Sequence, residues 1–311
     1  MIRLGIVGYG NLGKAAAALV PEDMTLEAIF TRRPESVSGG IGLSHLPQWK
    51  DKLDVLILCG GSAADLPVLT PALAGDFCLV DSFDNHSRIP AHFAQVDAAA
   101  KAGGKLAVIS AGWDPGLFSL HRLYSAAVLP RGKSETFWGP GVSQGHSDAV
   151  RRIEGVADAR QYTIPEKTAL ETVRSGTFPL LTPRQKHKRL CFVVAKAGAD
   201  KAGIEKAIQT MPGYFADSDT TVQFISPEEM TAHHTQLPHG GIVIHTDGTS
   251  RVEYRLQTAS NPRFTAGVLL ACARAAHRMA SRGETGCRTM FDIAPIDLLP
   301  PTFKDPLQHL L

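Results

Sequence analysis

The apolar positions of the first third of the chain come in short, nearly continuous runs rather than in alternation. Ile2–Val7, Thr25–Phe30, Val55–Cys59, Phe77–Val80 and Leu106–Ser110 each read as a strand without a polar face. Helical stretches separate them, of which Leu12–Val20 and Ala91–Ala102 are the clearest. A strand apolar on both sides is buried on both sides, and alternation with helices places it in a parallel sheet. From Asp114 the texture changes. "SETFW", "ARQYTIP", "LCFVVA", "TTVQFI", "GIVIHT" and "RVEYRLQ" carry polar residues between apolar ones, with helical stretches at Glu166–Arg174 and Asp200–Thr210. This predicts a largely antiparallel sheet with one covered face. "NPRFTAGVLLACARAAHRMASR" reads as a long amphipathic helix opening after Pro262, its apolar face returning to the first domain.

Composition narrows the picture. A chain of 311 residues, 44% apolar and 20% charged, suits two globular domains and gives no case for disorder. A formal net charge of +2 gives no case for nucleic acid or an anionic membrane, so any anionic ligand must be met by a local cluster. The five cysteines, Cys59, Cys78, Cys191, Cys272 and Cys287, are odd in number, scattered and never spaced as CxxC. That usage suits a reduced, cytoplasmic protein without structural zinc. The longest apolar runs, such as "LDVLILC", are too short to span a membrane, and "MIRLGIVGYG" enters a glycine turn too early to hold a signal peptide.

The first candidate chemistry is the turn Gly8-Tyr9-Gly10-Asn11-Leu12-Gly13, which follows a strand and opens a helix. Gly8 permits the tight turn, Gly10 lets backbone approach a pyrophosphate, and Gly13 lets helix and strand pack closely. The second strand ends on Thr31-Arg32-Arg33 instead of the acid that would hold an adenine ribose. Two forked cations there suit a 2′-phosphate, which predicts NADP over NAD. The bland alternative is a solvated basic loop. "CGGSAAD", from Cys59 to Asp65, follows a further strand and could approach the cofactor through small residues. The expected fold class is therefore α/β: a Rossmann-type parallel-sheet dinucleotide-binding domain, 1–113 completed by 262–311, with an α+β second domain over 114–261.

"DSFDNH" and "SAGWDPG" sit at strand ends on the presumed ligand edge of the sheet. Asp84 and Asp114 within them could face a cationic group such as an ammonium, although Asp before Pro is also a common turn residue. His233, His234, His239 and His245 lack an acidic or cysteine partner at ligand spacing, so no metal is expected.

"GYGNLG", "DNH", "GWDPG", "FWGPGVSQGHSDAVRRI", "QYTIP", "HKRLCFVVA", "MPGYF", "LPHGG" and "NPRFTA" follow one another in an order that resembles the meso-diaminopimelate dehydrogenase family, from Ile2 to about Pro295. Only Ile296–Leu311 lacks a clear counterpart. The resemblance implies NADP-dependent oxidative deamination of the D-centre of meso-2,6-diaminopimelate to L-2-amino-6-oxopimelate, which cyclises to tetrahydrodipicolinate, and ammonia. It implies a homodimer, with the second domain serving substrate binding and dimerisation. By resemblance, the cofactor contacts fall on Tyr9, Gly10, Asn11 and Leu12, on Thr31, Arg32 and Arg33 (the family usually has serine for Thr31), on Cys59, Gly60, Gly61 and Ser62, and on Ser82 and Phe83. Asp84, Ala111, Gly112, Trp113, Asp114 and Pro115 complete the expected cofactor surface. The substrate contacts fall on Asp84, Asp114, Trp138, Gln144, Gly145, Thr163, Arg189, His239 and Asn261. Of these, Arg189 suits a bidentate carboxylate clamp, and Asp84 or Asp114 a base for the reacting amine. Two rival readings remain: another NADP-dependent reductase of the same plan, such as a dihydrodipicolinate reductase, and an NADPH-binding regulatory protein with a dead second domain.

Overall fold

A computed structural model describes residues 1–311. The chain divides into two compact units, Met1–Leu120 with Pro262–Leu311, and His121–Asn261. In chain order the first stretch holds β1 (Ile2–Val7), α1 (Asn11–Ala18), β2 (Met24–Thr31), β3 (Gly40–Gly42), β4 (Val55–Leu58), α2 (Leu66–Ala74), β5 (Leu79–Asp81), α3 (Ile89–Ala102), β6 (Leu106–Val108) and α4 (Leu117–Val128). There follow β7 (Lys133–Trp138), β8 (Gly141–Val142), α5 (Gln144–Arg151), β9 (Val156–Pro165), α6 (Lys167–Arg174), α7 (Pro183–Lys186), β10 (His187–Ala195), α8 (Lys201–Gln209), β11 (Asp219–Phe224), α9 (Pro227–His233), β12 (His239–Thr246) and β13 (Arg251–Thr258). The chain closes with α10 (Asn261–Ser281), β14 (Gly286–Arg288), α11 (Pro295–Leu298) and α12 (Pro306–Leu310).

The first unit is built on a seven-stranded sheet in the order β14-β6-β5-β4-β1-β2-β3, parallel at every pairing. Its strands explain the unbroken apolar runs. Leu4, Ile6, Val55, Ile57, Val80, Leu106 and Val108 enter one buried cluster, while Val7, Leu56, Leu58, Leu79 and Ala107 enter another. Successive residues point to opposite faces, so both faces must be apolar. The first cluster is completed by α10, whose small side chains from Ala266 to Ala276 are buried around most of the helix. β3 and β14, only three residues each, were not expected from the sequence. They are edge strands, recruited by pairing with β2 and β6 rather than by their own apolar pattern.

The division between the units falls inside α4, beyond the expected boundary at Asp114. The reason is local packing. Leu117 and Phe118 donate amide hydrogen bonds to Gly112 and Trp113 at 3.0 and 2.8 Å, and Leu117 and Leu120 pack on the first unit's core. The segment Ile296–Leu311 is tied down at its start. Arg274, Arg278 and Arg282 hydrogen-bond the chain at Ile296–Leu298. Arg274 also holds Asp23 through two contacts of 2.5 and 2.8 Å, with its side chain buried.

The second unit is largely antiparallel, as expected, but is not one sheet. It has two sheets, β11-β10-β9-β8 and β13-β12-β7, and β10 pairs with β11 in parallel. Each sheet has its own core. Val150, Ala159, Val193, Ile204, Ile208 and Phe215 serve the first, and Phe137, Ala169, Val173, Ile242 and Ile244 the second. The helical crossover α8 connects β10 to β11 and permits the parallel pairing.

Candidate active site

The glycine turn behaves as its spacing predicts. Gly8 has φ +92°, a conformation that strongly favours glycine. A Cβ on Gly13 would lie 2.0 Å from the Gly8 carbonyl oxygen, so no side chain fits there. Gly10 differs: a Cβ there would meet nothing within 4 Å, so the protein itself leaves that position open. Gly10 precedes α1, whose first turn has no acidic residue and whose N-cap makes no side-chain hydrogen bond. Amides at such a helix start suit a phosphate.

Thr31, Arg32, Arg33, Cys59, Gly60 and Gly61 line one cavity of about 440 Å³ with Gly8, Tyr9 and Gly10. The two ends of the presumed cofactor surface therefore meet in one space within the first unit. Thr31 Oγ1 accepts the Arg33 amide at 3.2 Å, which turns the strand end. Both arginines are exposed. The cavity also contains Ser36 and Asp65, which the sequence reading did not select. Asp65 pairs with Arg32 at 3.1 Å and accepts the Gly61 amide at 3.0 Å. A carboxylate thus reaches the basic tip from another loop. An exposed pair of this kind contributes about 0–1 kcal/mol, little enough for a phosphate to displace. The sequence signal for Asp65 was its place before the apolar run Leu66–Ala74.

Asp84 and Asp114 follow the adjacent strands β5 and β6. Asp84 is exposed and Asp114 half-buried. Ser62 accepts the Asp84 amide at 3.0 Å, which joins the loop after β4 to the loop after β5. Ser82, Phe83, Ala111, Gly112, Trp113 and Pro115 lie on the same two loops.

In the second unit, the motif "FWGPG" has a physical explanation. A Cβ on Gly139 would lie 2.1 Å from the Thr163 carbonyl oxygen, and one on Gly141 would lie 2.4 Å from the His239 Cα. Only glycine lets this segment pass so close to β9 and to the start of β12. The result groups Trp138, Thr163 and His239. Gly139 and Val142 complete the junction with backbone bonds to Gly240 and Pro238, both 2.7 Å. Gln144 and Gly145 begin α5 directly after β8. The Asn261 amide donates to Leu237 at 2.8 Å, two residues before His239.

Arg189 shares a row across the sheet with Thr163 and Thr220. The neighbouring rows, Cys191 with Val222 and Val193 with Phe224, belong to the core. The core face thus ends on a polar row. The Arg189 guanidinium donates to Thr163 Oγ1, while its buried Nε has no partner. Desolvation lowers its pKa, yet arginine stays charged. Three histidines feel this charge. Burial and Arg189 push His146 down to about 4 and His187 down to about 3, and lower His239 too. They are neutral at ordinary pH, and nearby Lys186 is matched by Glu135 at 2.5 Å. Arg189 is therefore a half-buried cation whose buried Nε has no partner. His187 and His146 were also missed in the sequence. His187 accepts the Trp138 amide at 2.9 Å and stacks on its ring with centroids 5.6 Å apart.

The other histidines have local roles. His245 bonds Ser134 and the Leu129 carbonyl at 2.7 and 2.9 Å, and His234 meets the Tyr162 hydroxyl at 2.9 Å.

Comparison with known proteins agrees with these features. The profile of the Diaminopimelic acid dehydrogenase C-terminal domain matches residues 112–260. A meso-diaminopimelate D-dehydrogenase of Acetivibrio thermocellus is 52% identical, with 100% of this chain and 98% of the relative covered, so the match includes Ile296–Leu311, for which no clear counterpart was expected. The chain belongs to the meso-diaminopimelate D-dehydrogenase family. Among solved structures, the diaminopimelate dehydrogenase of C. glutamicum in complex with DAP is 46% identical with a TM-score of 0.93, covering 100% of this chain and 99% of that one. An engineered D-amino acid dehydrogenase bound to NADP+ is 44% identical with a TM-score of 0.89, at the same coverage. Both likenesses extend over the two units.

Proposed function

We propose that this member of the family oxidises the D-configured amino centre of meso-2,6-diaminopimelate with NADP and water, releasing ammonia and L-2-amino-6-oxopimelate. The observation that carries the substrate class is Arg189, a half-buried cation whose Nε is buried without a partner and which has neutral histidines around it. A buried donor of this kind is costly unless an acceptor arrives, and a carboxylate supplies one.

The glycine turn, the start of α1 and the Arg32–Arg33 tip fit NADP. Gly10 leaves space for the pyrophosphate, and the exposed guanidinium groups can hold the 2′-phosphate. When bound, NADP supplies the acceptor for the hydride. The chain's own work is to bind and orient the substrate and to move protons. Asp84 or Asp114 takes the proton of the reacting ammonium so that the nitrogen lone pair can assist loss of hydride. Arg189, supported by Thr163, holds a carboxylate. His239 Nδ1 lies 2.8 Å from the Gly240 amide and 3.1 Å from the Gly240 carbonyl, and the ring offers the substrate a polar contact. Trp138, braced by His187, orients the substrate's carbon chain. A substrate without distal charged groups would leave these polar groups unpaired, so D-alanine should be a poor substrate.

The reaction is reversible in this reading and supplies diaminopimelate in the cytoplasm. No helix is long and apolar enough to cross a membrane. A homodimer is proposed through the second unit, where Tyr124, Val128 and Val252 are exposed apolar side chains. Light scattering would show a mass near that of one chain if this is wrong. The decisive assay is NADP+ reduction with the meso, L,L and D,D isomers at alkaline pH. Activity confined to the meso isomer is expected, and inactivity with all three would overturn the assignment.

A further inference from the structure

Asp81 is wholly buried at the end of β5, one turn before Asp84. Its carboxylate accepts hydrogen bonds from four donors. Oδ1 takes the amides of Phe83 and Ser110 at 3.0 and 2.8 Å. Oδ2 takes the Thr70 hydroxyl and His92 Nε2 at 2.8 and 2.7 Å. Phe83 immediately precedes Asp84, and Ser110 opens the loop that leads to Asp114. One carboxylate oxygen therefore joins the two loops that carry both acids. The backbone repeats the link, since the Asp81 carbonyl accepts the Ala111 amide at 2.9 Å.

Two further observations separate this from ordinary core packing. Ser110 has φ +56°, a left-handed conformation uncommon for a residue with a side chain, and its amide points at Asp81. Its hydroxyl is buried without a partner, so the side chain gains nothing from that conformation. Behind the carboxylate, His92 stacks on Phe83 with centroids 4.2 Å apart and planes 26° apart. The Phe83 backbone and ring are thus both fixed, one by Asp81 and the other by the histidine that Asp81 holds.

We infer that Asp81 is a positioning residue for the dehydrogenase reaction, setting through Phe83 and Ser110 the relative placement of the Asp84 and Asp114 loops. The inference rests on the reading of those two acids as groups serving the reacting amine. Asp81 is too deeply buried to touch substrate and acts only through its neighbours. A loop displaced by even 1 Å degrades a hydride transfer geometry.

The test uses the full-length protein. Asp81→Ala removes both loop bonds, and kcat should fall at least tenfold. Asp81→Asn keeps an oxygen for the two amides, its NH2 group turning toward His92 and Thr70, and should restore kcat to within about threefold. Thr70→Val removes a donor from Oδ2 only and should leave kcat within threefold, whatever stability it loses. Equal loss of kcat in Asp81→Ala and Thr70→Val, or no loss in Asp81→Ala, overturns the inference. If Asp81→Ala does not fold, amide hydrogen exchange in Asp81→Asn decides the matter. Protection of the Phe83 and Ser110 amides should move together with kcat, and a change in one without the other overturns it. Failure of the underlying reading is separately visible: Asp84→Asn and Asp114→Asn would then both retain the parent kcat.

Discussion

The molecule presents positive charge in two contrasting ways. In the first unit Arg32 and Arg33 are exposed at the end of a strand, beside an open glycine turn, with Asp65 as a weak partner. In the second, Arg189 is held inside a sheet row, bonded to Thr163 and surrounded by neutral histidines. The exposed pair is solvated before a ligand arrives, so each guanidinium adds a modest increment. The half-buried one has an Nε already cut off from water, so an incoming carboxylate there replaces a missing interaction instead of competing with solvent. On the proposed function, the first arrangement would grade affinity between two similar cofactors. The second would discriminate sharply between substrates that carry the anion and those that lack it.

The largest effect expected concerns the turn beneath the exposed pair. Gly13→Ala places a Cβ against the Gly8 carbonyl, and backbone cannot give way cheaply. Loss of NADP binding together with a clear drop in Tm is expected. Gly10→Ala is its counterpart, since Gly10 has ordinary φ and open space around it. Its Tm should stay within a degree or two while NADP affinity falls. If both variants bind NADP normally by calorimetry, the cradle lies elsewhere.

Next comes Arg189→Met. Removing a buried charged partner typically costs 2–5 kcal/mol, roughly 30-fold to several-thousand-fold. The loss should appear in kcat/KM for diaminopimelate and spare NADP binding. Comparable losses for both ligands in steady-state and binding assays would remove the contrast between the units.

The buried histidines predict a stability profile. In the unfolded chain His146 and His187 titrate near 6.5, whereas the folded protein resists protonating them until about 4 and about 3. Between those limits the unfolded state binds more protons, so their contribution is fully present above pH 6.5 and is lost as pH falls below it. His187→Gln, which keeps an acceptor for the Trp138 amide, should flatten the decline of Tm over that window by roughly one proton's worth. An unchanged slope would show that His187 is accessible to solvent.

Smaller effects belong to the exposed tip. Arg32→Ala and Arg33→Ala should each raise KM for NADP by roughly ten- to a hundredfold, about 1.5–3 kcal/mol per charged hydrogen bond, with KM for NAD little changed. If neither does so, the pair is a solvated loop. Asp65→Asn should alter KM for NADP by less than about fivefold, because the Arg32 pair it removes is exposed.

Most of the first unit was legible because its signals are local. Strands buried on both faces must be apolar throughout, and a glycine turn is written in consecutive residues. Arg32 and Arg33 stood out because their position at a strand end carries meaning. The short edge strands β3 and β14 carried no such signal, since partners across the sheet create them. The parallel β10–β11 pairing was equally hidden, because a strand's composition does not state its neighbour's direction.

The same division holds for the sites. The chain's own order of residues determined the class of cofactor, the two candidate acids and the motif that resembles the family. Folding alone decided that Gly139 and Gly141 close onto Thr163 and His239, that Asp65 arrives at Arg32, and that Asp81 joins the loops following β5 and β6. It also decided that the Arg189 Nε would be buried without a partner. The physical reason is that conformation follows from near neighbours in sequence, whereas burial, charge matching and hydrogen-bond partners depend on residues far along the chain. A carboxylate reads alike in sequence at positions 65, 81 and 84. Only tertiary contacts make one a partner for Arg32, one an anchor for two loops and one an exposed candidate base.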